Sequence, residues 1–147
     1  MNLKNVAAVS GKSGLYKVVK PTRSGVILET LDVTKKKWVA NASHRVSILR
    51  EISVYVTGEE SSILLEDLYA TIREKYNTDL PVSSKSSVDE LFSFLGEILP
   101  DYDRERVYSS DVKKMVSWYS IISEFAPEYF DIASEQIQEA TSDEEKS

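Results

Sequence analysis

The sequence has no cysteine and only one histidine, His44, among its 147 residues. Without cysteine the chain has no disulfide framework, no thiolate nucleophile and no sulfur ligand for zinc. A catalytic triad or a metal site needs partners that a single histidine does not have. We therefore expect no cofactor, no metal and no catalytic residue, and we interpret His44 as a turn residue bonded to the backbone.

Long apolar runs are missing as well. No segment approaches the roughly 18 consecutive apolar residues that a membrane helix requires. Met1–Asn5 leads into no apolar run of the kind found in signal peptides. A cytoplasmic protein without membrane contact is the expectation. Hydrophobic residues still make up 41% of the chain, well above the content of disordered proteins, and the length suits one domain or two small ones.

Charge is distributed unevenly along the chain. Residues 1–56 carry ten basic and three acidic side chains, a formal charge of +7. Residues 57–130 have a formal charge of −8, and residues 131–147 add −5, so the net charge is −6. A basic first third joined to an acidic remainder indicates a surface for polyanions, or neutralisation of one part by the other within the molecule. The sequence leaves both possibilities open.

The first third has the pattern of short strands separated by turns. Its apolar residues alternate with polar ones and are rich in β-branched and aromatic types, which favour strands. Clusters of glycine, proline, serine and asparagine separate them. These features predict a small antiparallel β-sheet or an SH3-like barrel over residues 1–56. The predicted strands are residues 15–19, 26–31, 37–40, 46–49 and 52–56.

The rest of the chain has the pattern of helices. A polar linker follows residue 56, and apolar residues then recur at helical spacing over residues 61–126, which predicts a three-helix domain. Ser87 followed by Glu90 is the pattern of a capping box at the start of the second helix. Residues 131–147 are acidic and are expected to be disordered. The predicted fold class is therefore α+β, a small sheet or barrel followed by a three-helix segment.

The sequence also contains blocks that resemble an uncharacterised family of small proteins from Bacteroidetes bacteria. The blocks are Ser10–Lys17 (SGKSGLYK), His44–Val46 (HRV), Leu99–Tyr108 (LPDYDRERVY), Ser110–Lys114 (SDVKK) and Trp118–Tyr119. The resemblance covers residues 1–125. Because the family is a domain of unknown function, the resemblance implies a cytoplasmic bacterial protein and brings no activity, cofactor or catalytic residue with it.

Two motifs suggest chemistry but fit structural roles better. Ser10–Gly14 has the residue types of a phosphate loop, but the first glycine is missing, no strand of convincing length precedes it and a strand follows, so we expect a plain turn.

The carboxylates of Asp101, Asp103 and Glu105 have the character of acid–base or magnesium-binding groups. The interleaved arginines, Arg104 and Arg106, favour local ion pairs instead.

The strongest candidate for function is the run of three lysines and a tryptophan at residues 35–38. Basic side chains beside an aromatic ring suit RNA, which offers phosphates and stackable bases. There are structural alternatives. Strand alternation places Lys37 and Trp38 on opposite faces, so Trp38 also suits a core position. The lysines also suit a solvated hairpin that protects a sheet edge. The full candidate polyanion-binding set is Lys17, Lys20, Arg23, Lys35, Lys36, Lys37, Trp38, Arg45 and Arg50.

The sequence therefore predicts a non-enzymatic cytoplasmic binding or adaptor protein that contacts RNA or another polyanion through its basic β-module. The alternative is a protein–protein interaction or self-association module without nucleic-acid contact, in which the basic sheet meets an acidic partner. The oligomeric state and the identity of the ligand stay open.

Overall fold

A computed structural model describes residues 2–130 and contains seven strands and three α-helices within that range. Five strands form an antiparallel sheet in the order β4–β3–β2–β1–β5, and the other two form a separate hairpin. Two short 3-10 helices span Leu49–Glu51 and Pro127–Phe130. The remaining elements are β1 (Val6–Val9), β2 (Tyr16–Pro21), β3 (Gly25–Thr30), β4 (Lys37–Asn41), β5 (Val46–Ile48), β6 (Ser53–Tyr55), β7 (Ser62–Leu64), α1 (Leu65–Tyr76), α2 (Val88–Ile98) and α3 (Ser109–Phe125).

The predicted α+β fold and its antiparallel sheet are confirmed, but the SH3-like barrel is not. Within residues 2–130, β4 pairs only with β3 and β5 pairs only with β1, so the sheet has two edges there and is not closed into a barrel. The sheet obtains part of its hydrophobic cover from the helical half instead, because Val6 and Ala8 of β1 join the same apolar cluster as the helices. A small sheet needs such a covering layer when it does not close on itself.

Strand β1 was not predicted from the sequence, and it is the strand that connects the two parts of the sheet. Its sequence is Val-Ala-Ala-Val, and the two alanines weaken the strand signal. It nevertheless lies between β2 and β5, with Val6, Ala7 and Val9 buried. The sequence showed no strand of convincing length before the Ser10–Gly14 motif, but the four-residue β1 does precede it; the expectation that a strand follows the motif is confirmed.

The last predicted strand, residues 52–56, corresponds to β6, but it lies outside the main sheet. β6 pairs with β7 in register from Ser53 opposite Leu64 to Tyr55 opposite Ser62. The residues that resemble a polar linker in the sequence therefore form the turn of this hairpin. β7 leads directly into α1, and the Leu65 N–H donates to the carbonyl oxygen of Ile52.

Side-chain hydrogen bonds cap the starts of α2 and α3. The predicted capping box of α2 is confirmed, since the Ser87 hydroxyl accepts from the Glu90 N–H at 3.2 Å and the Ser87 N–H donates to the Glu90 carboxylate at 3.0 Å. At the start of α3 the Asp111 carboxylate accepts from the Tyr108 N–H at 2.9 Å. None of the helices within residues 2–130 combines the length and apolar character needed to cross a membrane.

Aromatic rings hold α1 against α3. Tyr69 is fully buried, and its hydroxyl donates to the Met115 carbonyl oxygen at 2.6 Å. Its ring meets Tyr119 edge-on at 5.2 Å between centroids, and Phe130 stacks on Tyr119 at 4.7 Å. Burial raises the pKa of the Tyr69 hydroxyl well above its usual value. The predicted disorder of residues 131–147 lies outside the described residues.

Candidate anion-binding surfaces

The loop between β3 and β4, which contains Lys35 and Lys36, is held in shape by a single carboxylate. One oxygen of Asp32 accepts from the backbone N–H groups of Thr34 at 2.9 Å and Lys35 at 3.1 Å, and from the hydroxyls of Thr34 at 2.6 Å and Thr30 at 2.9 Å. These hydrogen bonds, with the Thr34 hydroxyl contributing most, hold the pKa of Asp32 below its usual range. The loop therefore presents its lysines from a fixed backbone, and Lys35 has a positive φ of 47°.

The outer face of β2, β3 and β4 carries the other lysines of the predicted set. The strand register aligns Lys17, Glu29 and Lys37 across these three strands, so an acidic residue lies between two lysines in this row. Beyond this row, Lys20 lies near the end of β2 and Arg23 lies in the turn that follows it. We call six exposed residues, none with an ion pair within residues 2–130, the basic stripe: Lys17, Lys20, Arg23, Lys35, Lys36 and Lys37.

Trp38 does not lie on the basic stripe. It occupies the opposite face of the sheet, where it packs with a second apolar cluster that includes Leu28 and Ala40. Its ring meets Tyr16 at 5.6 Å and His44 at 5.1 Å, both edge-on. Alternation along β4 thus gives Lys37 and Trp38 opposite orientations, which supports the core interpretation of Trp38 over the base-stacking one.

His44 is a turn residue, as predicted. The Asn41 N–H donates to Nδ1 of His44 at 3.1 Å, which closes the turn between β4 and β5. The His44 ring also covers one edge of Trp38. Both contacts are structural.

The last two arginines of the predicted set lie away from the basic stripe. Arg50 lies 3.6 Å from the Glu66 carboxylate in the first turn of α1, so it links the two halves of the molecule. Arg45 precedes β5 and lines a cleft of about 450 Å³ between the β1–β2 turn and α3. Two α3 lysines, Lys113 and Lys114, line the same cleft. The sequence did not predict this convergence, because these lysines belong to the acidic segment.

The charged connection before α3 is structural. The Arg106 guanidinium donates to the Asp103 carboxylate at 2.9 Å, which confirms the predicted local ion pair. This contact is the largest of those that lower the pKa of Asp103. Arg104 covers the ring of the buried Tyr102, and Arg106 also covers Tyr55. Over residues 2–130 no group of three histidine, aspartate or glutamate side chains is arranged to hold a metal ion.

Comparison with known proteins places the chain in a family. Residues 3–49 match the model of a domain of unknown function (DUF5606), and residues 52–122 match a second domain of unknown function (DUF6852). A solution NMR structure of a Bacteroides vulgatus protein, a structural-genomics target, is 34% identical with a TM-score of 0.67 over 89% of each chain. The chain belongs to this uncharacterised Bacteroidetes family. No curated protein matches the sequence.

The boundary between the two family domains lies between residues 49 and 52, shortly after the end of β5. The first domain contains β1 to β5 and thus the whole basic stripe. The second contains the β6–β7 hairpin with the three helices. The cleft beside Arg45 lies where these two family domains face each other.

Proposed function

We propose that this member of the family is a non-enzymatic binding protein that contacts single-stranded RNA through the basic stripe. One observation carries the proposal. The six basic side chains of the stripe are exposed, and none of them forms an ion pair within residues 2–130, although the strand register places Glu29 between Lys17 and Lys37. Unpaired cations on one surface attract polyanions over long range, and neutralisation of a phosphate backbone releases its counterions.

The shape of the stripe suits an extended strand. β2 and β3 are six residues long, so the distance from the turn at Arg23 to the loop at Lys36 is about 20 Å at the usual rise of a strand. Because Trp38 lies on the other face, the stripe does not use it for base stacking. We therefore expect phosphate contacts to dominate and the affinity to depend little on base sequence. A cytoplasmic location agrees with this proposal and stays a prediction.

The test is a salt titration of RNA binding. A fluorescently labelled oligouridine is titrated with the full chain between about 50 and 200 mM salt, where six phosphate contacts give a log–log slope of about −4 for a single strand. Replacing Lys35, Lys36 and Lys37 together with glutamine removes three contacts, and the slope then becomes less steep, about −2 instead of about −4. Lys85→Gln, at an exposed lysine on the loop between α1 and α2, is the control for a lysine outside the stripe and leaves the slope unchanged.

Two results would count against RNA binding. Absence of binding at about 50 mM salt would refute it, since electrostatic binding is strongest at low salt. Binding that is indifferent to the triple substitution would show that the stripe is not the contact surface. If light scattering then shows an oligomer that persists at low protein concentration, the protein-interaction alternative takes its place.

A further inference from the structure

The cleft between the two family domains is lined by basic residues from both domains. Four basic residues line it, Lys12 and Arg45 from the β-half and Lys113 and Lys114 from α3, and among residues 2–130 its lining includes no aspartate or glutamate. The Lys12 ammonium also lies 5.1 Å from the centroid of the Trp38 ring. None of the four has an ion pair within residues 2–130. Like charges that face one another without counter-charges repel each other, and a bound anion relieves that repulsion.

The turn after β1 adds hydrogen-bond donors to one wall of the cleft. Gly11 and Gly14 both have a positive φ, 83° and 81°, a conformation that glycine adopts without strain. The backbone N–H groups of Gly11, Ser13 and Gly14 donate to no other group within residues 2–130. Free N–H groups in a turn of this kind are suitable donors to phosphate oxygens. The turn lacks the helix that a phosphate loop requires, so it supplies only part of a site.

An aromatic residue forms the opposite wall. Trp118 follows Lys114 by four residues on α3, so the two side chains lie on the same side of the helix. Trp118 lines this cleft and also the adjoining groove beside β6. It is half-buried, which leaves part of the indole exposed to a ligand. A volume of about 450 Å³ falls in the usual range of about 300–1,000 Å³ for small-molecule sites.

We propose that this cleft binds a small ligand in which a phosphate group is joined to a planar ring, that is, a nucleotide. The phosphate lies among Lys12, Arg45, Lys113 and Lys114, and the ring lies against Trp118. Such a ligand comes either as a free nucleotide or as the 5′-phosphorylated end of an RNA strand. The site is separate from the basic stripe, so it stands or falls independently of RNA binding there.

Calorimetry with the full chain tests the phosphate half of the proposal. We expect ADP and pyrophosphate to bind and adenosine to bind at least about tenfold more weakly, since a charge-assisted hydrogen bond contributes about 1.5–3 kcal/mol. Lys113→Gln with Lys114→Gln lowers the affinity for ADP by about 100-fold on the same basis. Lys35→Gln with Lys36→Gln, the charge-matched control on the basic stripe, leaves ADP binding unchanged. Circular dichroism confirms that each variant is folded.

The ring half is tested with Trp118→Leu. This variant lowers the affinity for ADP, but it leaves the affinity for pyrophosphate unchanged. In the Lys35→Gln with Lys36→Gln variant, which weakens RNA binding at the basic stripe, a 5′-phosphorylated trinucleotide that binds more tightly than ADP identifies the ligand as a strand end, whereas weaker binding identifies a free nucleotide. The proposal is overturned if neither ADP nor the trinucleotide binds at millimolar concentration, or if the Lys113 and Lys114 double variant binds ADP like the parent protein.

Discussion

Glycine 25 is the position where a single methyl group should do most damage to the sheet. Gly25 is the first residue of β3 and pairs with Asn41 at the end of β4. A Cβ built on Gly25 lies 1.9 Å from the Ala40 carbonyl oxygen and 2.9 Å from its carbonyl carbon. Real Cβ atoms essentially never approach another atom closer than 3.0 Å. Gly25→Ala must therefore displace the β4 backbone, because the atoms it meets are backbone atoms and not the end of a flexible side chain.

The displaced backbone belongs to a buried residue. Ala40 is buried in the second apolar cluster beside Leu28 and Trp38, so moving it disturbs that packing as well as the pairing of β3 with β4. Overpacking of a close-packed interior costs about 1–3 kcal/mol, and a clash with backbone belongs at the upper end. We expect Gly25→Ala to lower the free energy of unfolding by at least about 2 kcal/mol.

The matched control is the same substitution in a helix. Gly96 lies inside α2, and the nearest atom to a Cβ built there is Cε1 of Tyr102 at 3.7 Å, which is ordinary van der Waals contact. Alanine is favoured over glycine in a helix interior by about 1 kcal/mol. Gly96→Ala should therefore stabilise the protein, and the two variants should differ by about 3 kcal/mol, or about 6–12 °C in Tm for a protein of this size.

Urea unfolding followed by circular dichroism measures both variants on the full chain. The midpoint should fall for Gly25→Ala and rise for Gly96→Ala with little change of slope, because the surface exposed on unfolding stays nearly the same. A Gly25→Ala protein within about 0.5 kcal/mol of the parent, the usual range of surface substitutions, would refute the reasoning. It would mean that the end of β4 shifts freely and that the β3–β4 hairpin does not hold the basic stripe rigidly.

Three further substitutions test contacts in other parts of the molecule. Tyr69→Phe removes the buried hydrogen bond to Met115 and should cost about 1 kcal/mol in urea unfolding; a neutral result would show that the contact adds nothing. Ser87→Ala removes the α2 capping box and should also cost about 1 kcal/mol, whereas Ser87→Asp retains a cap. Asp32→Ala frees the loop backbone at Lys35, whose amide hydrogen exchange should accelerate. Because the pKa of Asp32 is lowered in the folded state, its hydrogen bonds stabilise the loop fully above about pH 4. This stabilisation is lost as the pH falls through the folded-state pKa of Asp32, and the NMR shifts of the loop amides should change only in that pH range.

Local patterns in the sequence predicted local structure correctly. Ser87 and Glu90 are three residues apart, and the capping box depends on nothing beyond that spacing. Alternation along one strand likewise placed Lys37 and Trp38 on opposite faces, since the side-chain period of a strand is two whatever surrounds it. The family blocks at both ends of the chain also identified the family.

Features that depend on distant parts of the chain were missed. β1 is half alanine, and it is a strand because β2 and β5 pair with it on both sides, so its stability comes from tertiary contacts. The β6–β7 hairpin was missed because its turn was interpreted as a linker between domains. Gly58 and its acidic neighbours have the polar composition of a linker. The barrel prediction failed for the same reason. The sheet stays open because helices from a later part of the chain cover β1, and local strand patterns do not reveal that layer.

The same limitation explains why charge counted along the chain located the basic stripe but not the cleft. Lys113 and Lys114 belong to a segment with a formal charge of −8, so their charge disappears in the sum. In space they line the same cleft as Lys12 and Arg45, and charges act on one another over roughly 8–10 Å at physiological salt. A ligand responds to the charges within that distance, whatever their order in the sequence. Two surfaces of one sign, formed from different segments, therefore coexist in a protein whose net charge is negative.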